Sequence, residues 1–218
     1  MLVPQLAATT DGTEQPDGVE FVPKIWGAGS VTAEELEAAS RAGTHLLGFN
    51  EPDMAGQANL PVEQALDLWP RLMDTGLRLG APAVAFGADQ PASWFDRFMV
   101  GAAERGLRVD FVPLHWYGAD FSAAAVDHLR GYLDAVHARW DLPLWLTEYA
   151  LTDFTGATPR YPSEAEQSAF ARAVVPALDA LPYLERHAWF TLSTDASPTG
   201  LWSGGVPNAT GEAYRDTG

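Results

Sequence analysis

The 218-residue sequence contains no cysteine. This absence excludes disulfides, thiolate nucleophiles and cysteine-ligated zinc. Basic residues are also few, with 13 lysines and arginines against 29 aspartates and glutamates and a formal net charge of −16. So acidic a surface repels phosphate backbones and anionic lipids, and neither nucleic acid nor a membrane surface is an expected partner. The charge favours solubility and does not oppose the binding of a neutral substrate.

Long apolar runs are absent as well. No eighteen consecutive residues are apolar, so no membrane span is predicted, and the first four residues lack the character of a signal peptide. Aromatic residues are numerous, with 8 Trp, 6 Tyr and 10 Phe. They suit a hydrophobic core, and they equally suit a cleft that stacks sugar rings. The length predicts one domain, residues 1–218, with a substantial core.

Short apolar runs alternate with amphipathic segments, which predicts βαβ units around a parallel sheet. Strands are predicted at residues 21–27, 45–50, 79–86, 109–117, 144–149 and 187–192. Helices are predicted at 32–42, 61–75, 92–105, 123–140 and 163–181. Residues 2–8 are a candidate seventh strand, and 201–203 have the character of a loop or hairpin. The alternation of strands and helices fits a closed barrel or an open doubly wound sheet. No nucleotide-binding glycine motif follows a strand, which counts against a nucleotide-binding open sheet.

Two glutamates follow buried apolar runs. Glu51 precedes Pro52, which cannot continue a sheet ladder, and Glu148 ends the run that starts at Leu144. The carboxyl edge of parallel strands carries the chemistry of such folds. Retaining glycoside hydrolysis needs one protonated and one ionised carboxyl group roughly 5 Å apart. A lone glutamate after a strand is usually a surface residue, so it is the pair that predicts catalysis, and the pair meets only if the strands curve into a barrel.

Other residues surround this predicted pair. Asn50 precedes Glu51 and can bind the sugar hydroxyl next to the reacting carbon. His115 and Tyr117 share one strand face and can orient the nucleophile through hydrogen bonds. Histidines are scattered and no H-E-x-x-H motif occurs, so no metal site and no cofactor are predicted. The candidate sugar platforms are aromatic residues near strand ends: Trp26, Trp116, Tyr149, Trp189 and Trp202.

Four blocks of sequence together resemble glycoside hydrolase family 128. They are F-V-P from Phe21, L-G-F-N-E-P-D from Leu47, H-W-Y from His115 and W-L-T-E-Y from Trp145. The resemblance runs from about Val19 to Tyr214. It implies an endo-β-1,3-glucanase of the retaining clan on a (β/α)8 TIM-type barrel. It also implies that Glu51 is the acid/base, that Glu148 is the nucleophile and that Trp26 ends the third strand.

The sequence departs from the family pattern in two places. The family has two strands before F-V-P, the second with an aromatic Y-N-W block, and no such block is present here. A barrel with a degenerate or missing first strand is therefore expected. Methionine usually follows F-V-P, whereas this chain has Lys24. We expect Lys24 to point outward or to pair with a carboxylate, because an unpartnered buried charge is costly.

Three other functions remain open from the sequence. The enzyme could act on another β-glycan, such as a β-1,4-glucan or a mannan, because loop shape decides the substrate. The chain could be a non-catalytic β-glucan-binding barrel, which the missing first strand favours and the retained glutamates oppose. A metal-dependent hydrolase on a similar barrel has no clustered ligands to support it. We expect a secreted monomer, since polymeric glucans are extracellular.

Overall fold

The computed structural model describes residues 20–217. The candidate strand at residues 2–8 lies outside this range. The described residues form two compact units, the first with residues 20–115 and 142–147 and the second with residues 116–141 and 148–217. No helix within residues 20–217 is long and apolar enough to cross a membrane.

Helices and strands alternate along the chain, as predicted. The helices are α1 Ala33–Ala42, α2 Val62–Met73, α3 Trp94–Glu104, α4 Ala125–Trp140, α5 Glu164–Asp179 and α6 Ala209–Arg215, with a short 3-10 turn at Ala28–Ser30. The strands are β1 His45–Leu46, β2 Arg78–Leu79, β3 Val112–Gly118, β4 Leu144–Leu151, β5 Leu184–Trp189, β6 Trp202–Ser203 and β7 Val206–Pro207.

Strand pairing in the first unit is parallel. β1 pairs with β2, and single parallel bridges join Lys24 to Leu47, Asn50 to Ala83 and Gly80 to Phe111. Residues 21–27 were predicted as a strand, but the structure gives them a single bridge, the one between Lys24 and Leu47. Pro23 has no N–H to donate to a ladder, although its carbonyl oxygen accepts from the backbone of Leu47 at 2.9 Å.

The second unit holds α4, α5, α6 and the C-terminal strands. β3, β4 and β5 form a three-stranded sheet in that order, and β6 and β7 form an antiparallel hairpin, as expected for residues 201–203. The α/β prediction is confirmed, and the parallel pairing is compatible with a TIM-type barrel. The sequence did not predict α6, because its seven residues are too few to show a helical period.

Helix starts follow their capping residues. The Thr32 hydroxyl accepts from the backbone of Glu35, as predicted for α1. Ser163 and Glu166 form the predicted capping box of α5. Two glycines of the first unit allow close approach of neighbouring segments: a Cβ on Gly48 would lie 2.9 Å from the carbonyl oxygen of Gly80, and one on Gly80 would lie 2.6 Å from the Phe111 ring.

The core of the first unit is built around Trp69 of α2. Its indole is fully buried and lies 4.9 Å from the Phe98 ring and 6.0 Å from the Phe49 ring. Its Nε1–H donates to the carbonyl oxygen of Arg108 at 2.9 Å. The indole therefore fills the core and also satisfies a buried backbone acceptor.

We predict that Trp69→Ala lowers the free energy of unfolding by about 3–5 kcal/mol, because it leaves a cavity and an unpaired carbonyl. Urea unfolding followed by circular dichroism measures this loss. Trp202→Ala is the control, since that indole is 40 % exposed, and its effect should stay within about 0.5 kcal/mol. Equal effects for the two variants would contradict the assignment of Trp69 to the core.

Candidate active site

Glu51 lies in the first unit, directly after the segment that β1 begins. Its backbone N–H donates to the carbonyl oxygen of Ala83 at 2.6 Å, and Pro52 follows it. Its φ is 43°, in the left-handed region that side chains other than glycine seldom occupy. The side chain is buried. Backbone strain of this kind collects at functional sites, where the surrounding structure enforces it.

His115 of β3 is the hydrogen-bonding partner of Glu51. Its Nδ1 lies 2.8 Å from Glu51 Oε1, and the imidazole is fully buried. The sequence predicted that His115 would orient the nucleophile. The structure gives it a contact with Glu51, the carboxylate predicted to be the acid/base, because β3 brings His115 alongside the end of the Glu51 segment.

Asn50 and Lys24 form a buried polar pair beside Glu51. The Lys24 ammonium donates to Asn50 Oδ1 at 2.6 Å, and Asn50 Nδ2 donates to Gln57 Oε1 at 3.2 Å. Lys24 is the only lysine in the sequence and is 7 % exposed. The expectation that it would point outward is wrong, because the Asn50 amide oxygen provides a buried acceptor. Lys24 thereby fixes which way the Asn50 amide points.

Asp53 links the loop that follows Glu51 to the loop that contains Ala85. Its carboxylate accepts from the backbone N–H of Ala85 at 2.9 Å. Burial raises the pKa of Asp53, and the nearby Glu51 adds to the rise. In the sequence Asp53 is marked only as the last residue of the L-G-F-N-E-P-D block, which predicts no role for it. Its place two residues after Glu51 was the available signal.

Glu148 lies in the second unit, on β4, and is half-buried. The Tyr117 hydroxyl donates to Glu148 Oε2 at 2.7 Å, the kind of contact that was predicted for Tyr117 and the nucleophile. Phe154 and Phe190 contact the Tyr117 ring edge to face, with centroids 5.3 and 5.9 Å away. These contacts hold the phenol in place, so Glu148 has a well-fixed hydrogen-bond donor.

We predict that Tyr117→Phe lowers kcat/KM on the substrate roughly 10- to 100-fold. A hydrogen bond to a charged group is worth about 1.5–3 kcal/mol, and each 1.36 kcal/mol is tenfold in rate. Steady-state kinetics measures the effect. Tyr183→Phe is the matched control, because the Tyr183 hydroxyl donates to Asp134 on the surface. Unchanged kinetics in Tyr117→Phe would refute the role.

Of three predicted sugar platforms in the second unit, Tyr149 and Trp189 are buried and Trp116 is half-buried. Tyr149 is fully buried, with its hydroxyl 3.1 Å from His187 Nδ1. Trp189 is 7 % exposed and donates to the carbonyl oxygen of Thr199 at 2.8 Å. Trp116 stacks on Phe170 of α5, with centroids 5.9 Å apart. The structure contradicts platform roles for Tyr149 and Trp189, because both rings are buried. Trp116 is half-buried and keeps part of its surface accessible.

The other two predicted platforms are accessible. Trp26 is half-buried, and its carbonyl oxygen accepts from the backbone of Asn50 at 2.9 Å. Trp202 lies in the β6–β7 hairpin and is 40 % exposed. Either indole has surface available for a ligand. Phe154, which is 56 % exposed beside Tyr117, was missed because no strand-end pattern marks it.

Each carboxylate is thus held by a hydrogen bond in the unit that contains it. The family model described as the glycosyl hydrolase catalytic core matches residues 6–214. The chain belongs to this family of glycosyl hydrolases.

Comparison with solved structures places it within a narrower family. The chain is 61 % identical to an endo-β-1,3-glucanase of glycoside hydrolase family 128, subgroup I, from Amycolatopsis mediterranei, solved with laminaritriose; the match covers 97 % of this chain and 88 % of that one, with a TM-score of 0.95. It is 31 % identical to a subgroup II endo-β-1,3-glucanase from Sorangium cellulosum, covering 94 % and 85 %, with a TM-score of 0.78. The chain is a member of glycoside hydrolase family 128.

A further relative is much longer than this chain. Alkali-sensitive linkage protein 1 of Schizosaccharomyces pombe is 32 % identical over 175 residues, which are 75 % of this chain and 30 % of that protein. The chain therefore spans less than a third of that relative.

Proposed function

We propose that this chain is an endo-β-1,3-glucanase that cleaves its substrate with retention, with Glu51 as acid/base and Glu148 as nucleophile. The observation that carries the proposal is the pair of hydrogen bonds made by β3. His115 contacts Glu51 and Tyr117 contacts Glu148. His115 and Tyr117 are alternate residues of β3, and each of them holds one of the two proposed catalytic carboxylates.

The Amycolatopsis mediterranei relative supports the same pair of glutamates. It was crystallised with laminarioligosaccharides as variants in which one of two glutamates was replaced. Those two glutamates lie 97 residues apart in its sequence. Glu51 and Glu148 have the same separation (148 − 51 = 97).

In the proposed first step, Glu148 attacks the anomeric carbon while the glycosidic C–O bond breaks and Glu51 gives its proton to the leaving oxygen. In the second step, Glu51 takes a proton from water, the water oxygen bonds to the anomeric carbon, and Glu148 leaves. Two inversions return the original β configuration. The Tyr117 hydroxyl, which donates to Glu148, orients this carboxylate for the attack.

Asn50 supports this reaction through its fixed amide. Lys24 occupies Asn50 Oδ1, and Gln57 accepts one N–H of Nδ2. The second N–H of that amide is then the group left to meet the sugar hydroxyl beside the reacting carbon. Asn50 therefore acts as a donor to the substrate, and the orientation comes from Lys24.

The wild-type protein tests the proposal when it is incubated with linear β-1,3-glucan, β-1,4-glucan and β-mannan. We expect reducing ends to appear only with β-1,3-glucan, as oligosaccharides of several lengths. Proton NMR in the first minutes should show the β-anomer before mutarotation. Initial α-anomer would refute retention, release of glucose alone would refute endo action, and inhibition by a chelator would favour a metal-dependent hydrolase. Binding of β-1,3-glucan without cleavage would favour a glucan-binding protein.

Two expectations from the sequence belong to the same proposal. A polymeric glucan outside the cell makes export the expected fate of the protein. One catalytic domain acting as a monomer suffices for the chemistry. Light scattering coupled to gel filtration should give a mass near 23.5 kDa, and twice that mass would refute a monomer.

A further inference from the structure

Phe154 is an exposed aromatic ring on the loop that follows β4. It is 56 % exposed, and its ring meets the Tyr117 ring at 90° with centroids 5.3 Å apart. Tyr117 in turn donates to Glu148. An isolated exposed apolar side chain is ordinary, so its position one contact away from the proposed nucleophile is what needs explaining.

Asp153 and Arg160 join the two ends of the loop that carries Phe154. Their backbones exchange two hydrogen bonds, of 2.8 and 2.9 Å. Arg160 Nη2 also donates to Asp153 Oδ2 at 2.9 Å, and the Thr155 hydroxyl donates to Asp153 Oδ1 at 2.6 Å. Hydrogen bonds from Thr155 and Arg160 lower the pKa of Asp153 to about 2. Asp153 thus stays ionised across the neutral and mildly acidic range.

The same loop also contacts the end of β3 and the segment that follows it. The Arg160 guanidinium lies over the Phe121 ring, 4.6 Å from its centroid, and the Thr152 N–H donates to the carbonyl oxygen of Gly118 at 3.0 Å. Gly118 is the last residue of β3, and Phe121 lies beyond it. Phe154 is therefore presented to solvent by a loop anchored at both ends.

We propose that Phe154 is a stacking site for a glucosyl ring of the substrate, next to the ring that Glu148 attacks. This site extends the proposed function and depends on it. A flat apolar ring matches the C–H face of a pyranose, and the neutral glucan carries no charge that the acidic surface repels. Because the loop is already ordered, stacking costs little conformational entropy.

A purely indirect role would have a different signature. If Phe154 acted only by holding Tyr117, its removal would lower kcat equally for all substrates and leave binding unchanged. A stacking site instead contributes to the binding of chains long enough to reach it. Affinity as a function of chain length therefore separates the two roles.

The test measures binding by calorimetry in the Glu148→Gln background, with glucose and with β-1,3-linked glucose oligomers of two to six units. Adding Phe154→Ala should weaken binding of the hexamer at least tenfold and binding of glucose, which fills one ring position, much less, while Phe154→Tyr should keep the affinity. Tyr161→Ala is the matched control, since Tyr161 is 38 % exposed just beyond Arg160. Melting temperatures of the variants should agree within a few degrees.

Equal hexamer affinity with and without the Phe154 ring would overturn the stacking site. So would an equal loss in Phe154→Ala and in Tyr161→Ala. Failure of the proposed function is seen separately, as a wild-type protein that cleaves no β-1,3-glucan. If such a protein still bound the hexamer through Phe154, the stacking site would stand and the hydrolase mechanism would fall.

Discussion

Glu148→Gln is expected to lower kcat on β-1,3-glucan by a factor on the order of 10⁴, because removal of one member of a catalytic unit has effects of that size. Glutamine keeps the shape of the side chain and can still meet the Tyr117 hydroxyl. It cannot form the glycosyl-enzyme bond. The loss should therefore appear in kcat, with substrate affinity largely retained.

A smaller residue at this position gives a sharper test. In Glu148→Ala, azide can enter the vacated space and attack the anomeric carbon from the side of the missing carboxylate. We expect azide to restore part of the activity on an activated aryl glycoside and to yield the α-glycosyl azide. Glu104→Gln is the control, because this exposed carboxylate ends α3 and its loss should leave kcat unchanged. Full activity in Glu148→Gln would remove Glu148 from the mechanism.

Glu51→Gln is expected to lower kcat on glucan by roughly 10²–10⁴, the contribution of general acid–base catalysis. The size of the loss should depend on the leaving group. A glycoside whose leaving group needs no proton is attacked by Glu148 at nearly the normal rate, and hydrolysis of the glycosyl-enzyme then becomes slow. A burst of released phenol followed by a slow steady state is the predicted time course.

Stopped-flow absorbance with a dinitrophenyl glycoside measures that burst. Azide added to Glu51→Ala should yield the β-glycosyl azide, because it attacks the glycosyl-enzyme from the opposite face. The two glutamate variants must therefore give azides of opposite configuration. The same configuration from both variants would show that their roles have been misassigned.

Much of the site was accessible from local chemistry in the sequence. Pro52 marks the end of an apolar segment and so locates Glu51 at its rim. The pairs Thr32–Glu35 and Ser163–Glu166 mark helix starts that the structure confirms. Such signals act over a few residues, and neighbouring residues suffice to decide them.

The misplaced aromatic residues show what a sequence pattern needs in addition. Trp116 lies between His115 and Tyr117, and Tyr149 follows Glu148. If the polar residues face the site, the alternation of a strand turns Trp116 and Tyr149 to its other face. Tyr149 is buried there, and Trp116 stacks on Phe170. A strict use of that two-residue period would have excluded both as sugar platforms.

Long-range partners could not be predicted in this way. The burial of Lys24 depends on Asn50, which is 26 residues away. The position of Phe154 depends on how Asp153 and Arg160 close their loop. In both cases the outcome is decided by a side chain that the pattern around the residue does not specify.

The single buried lysine has a consequence for chemical labelling. Apart from the α-amino group, the Lys24 side chain is the only amine that this sequence offers to acylating reagents. Lys24 lies under the protein surface with its ammonium bound to Asn50. Its acetylation must wait for local opening of the segment around Lys24. The rate of mass gain at Lys24, followed by peptide mass spectrometry, would therefore report how often that part of the protein opens, and a glucan that closes the site should slow it.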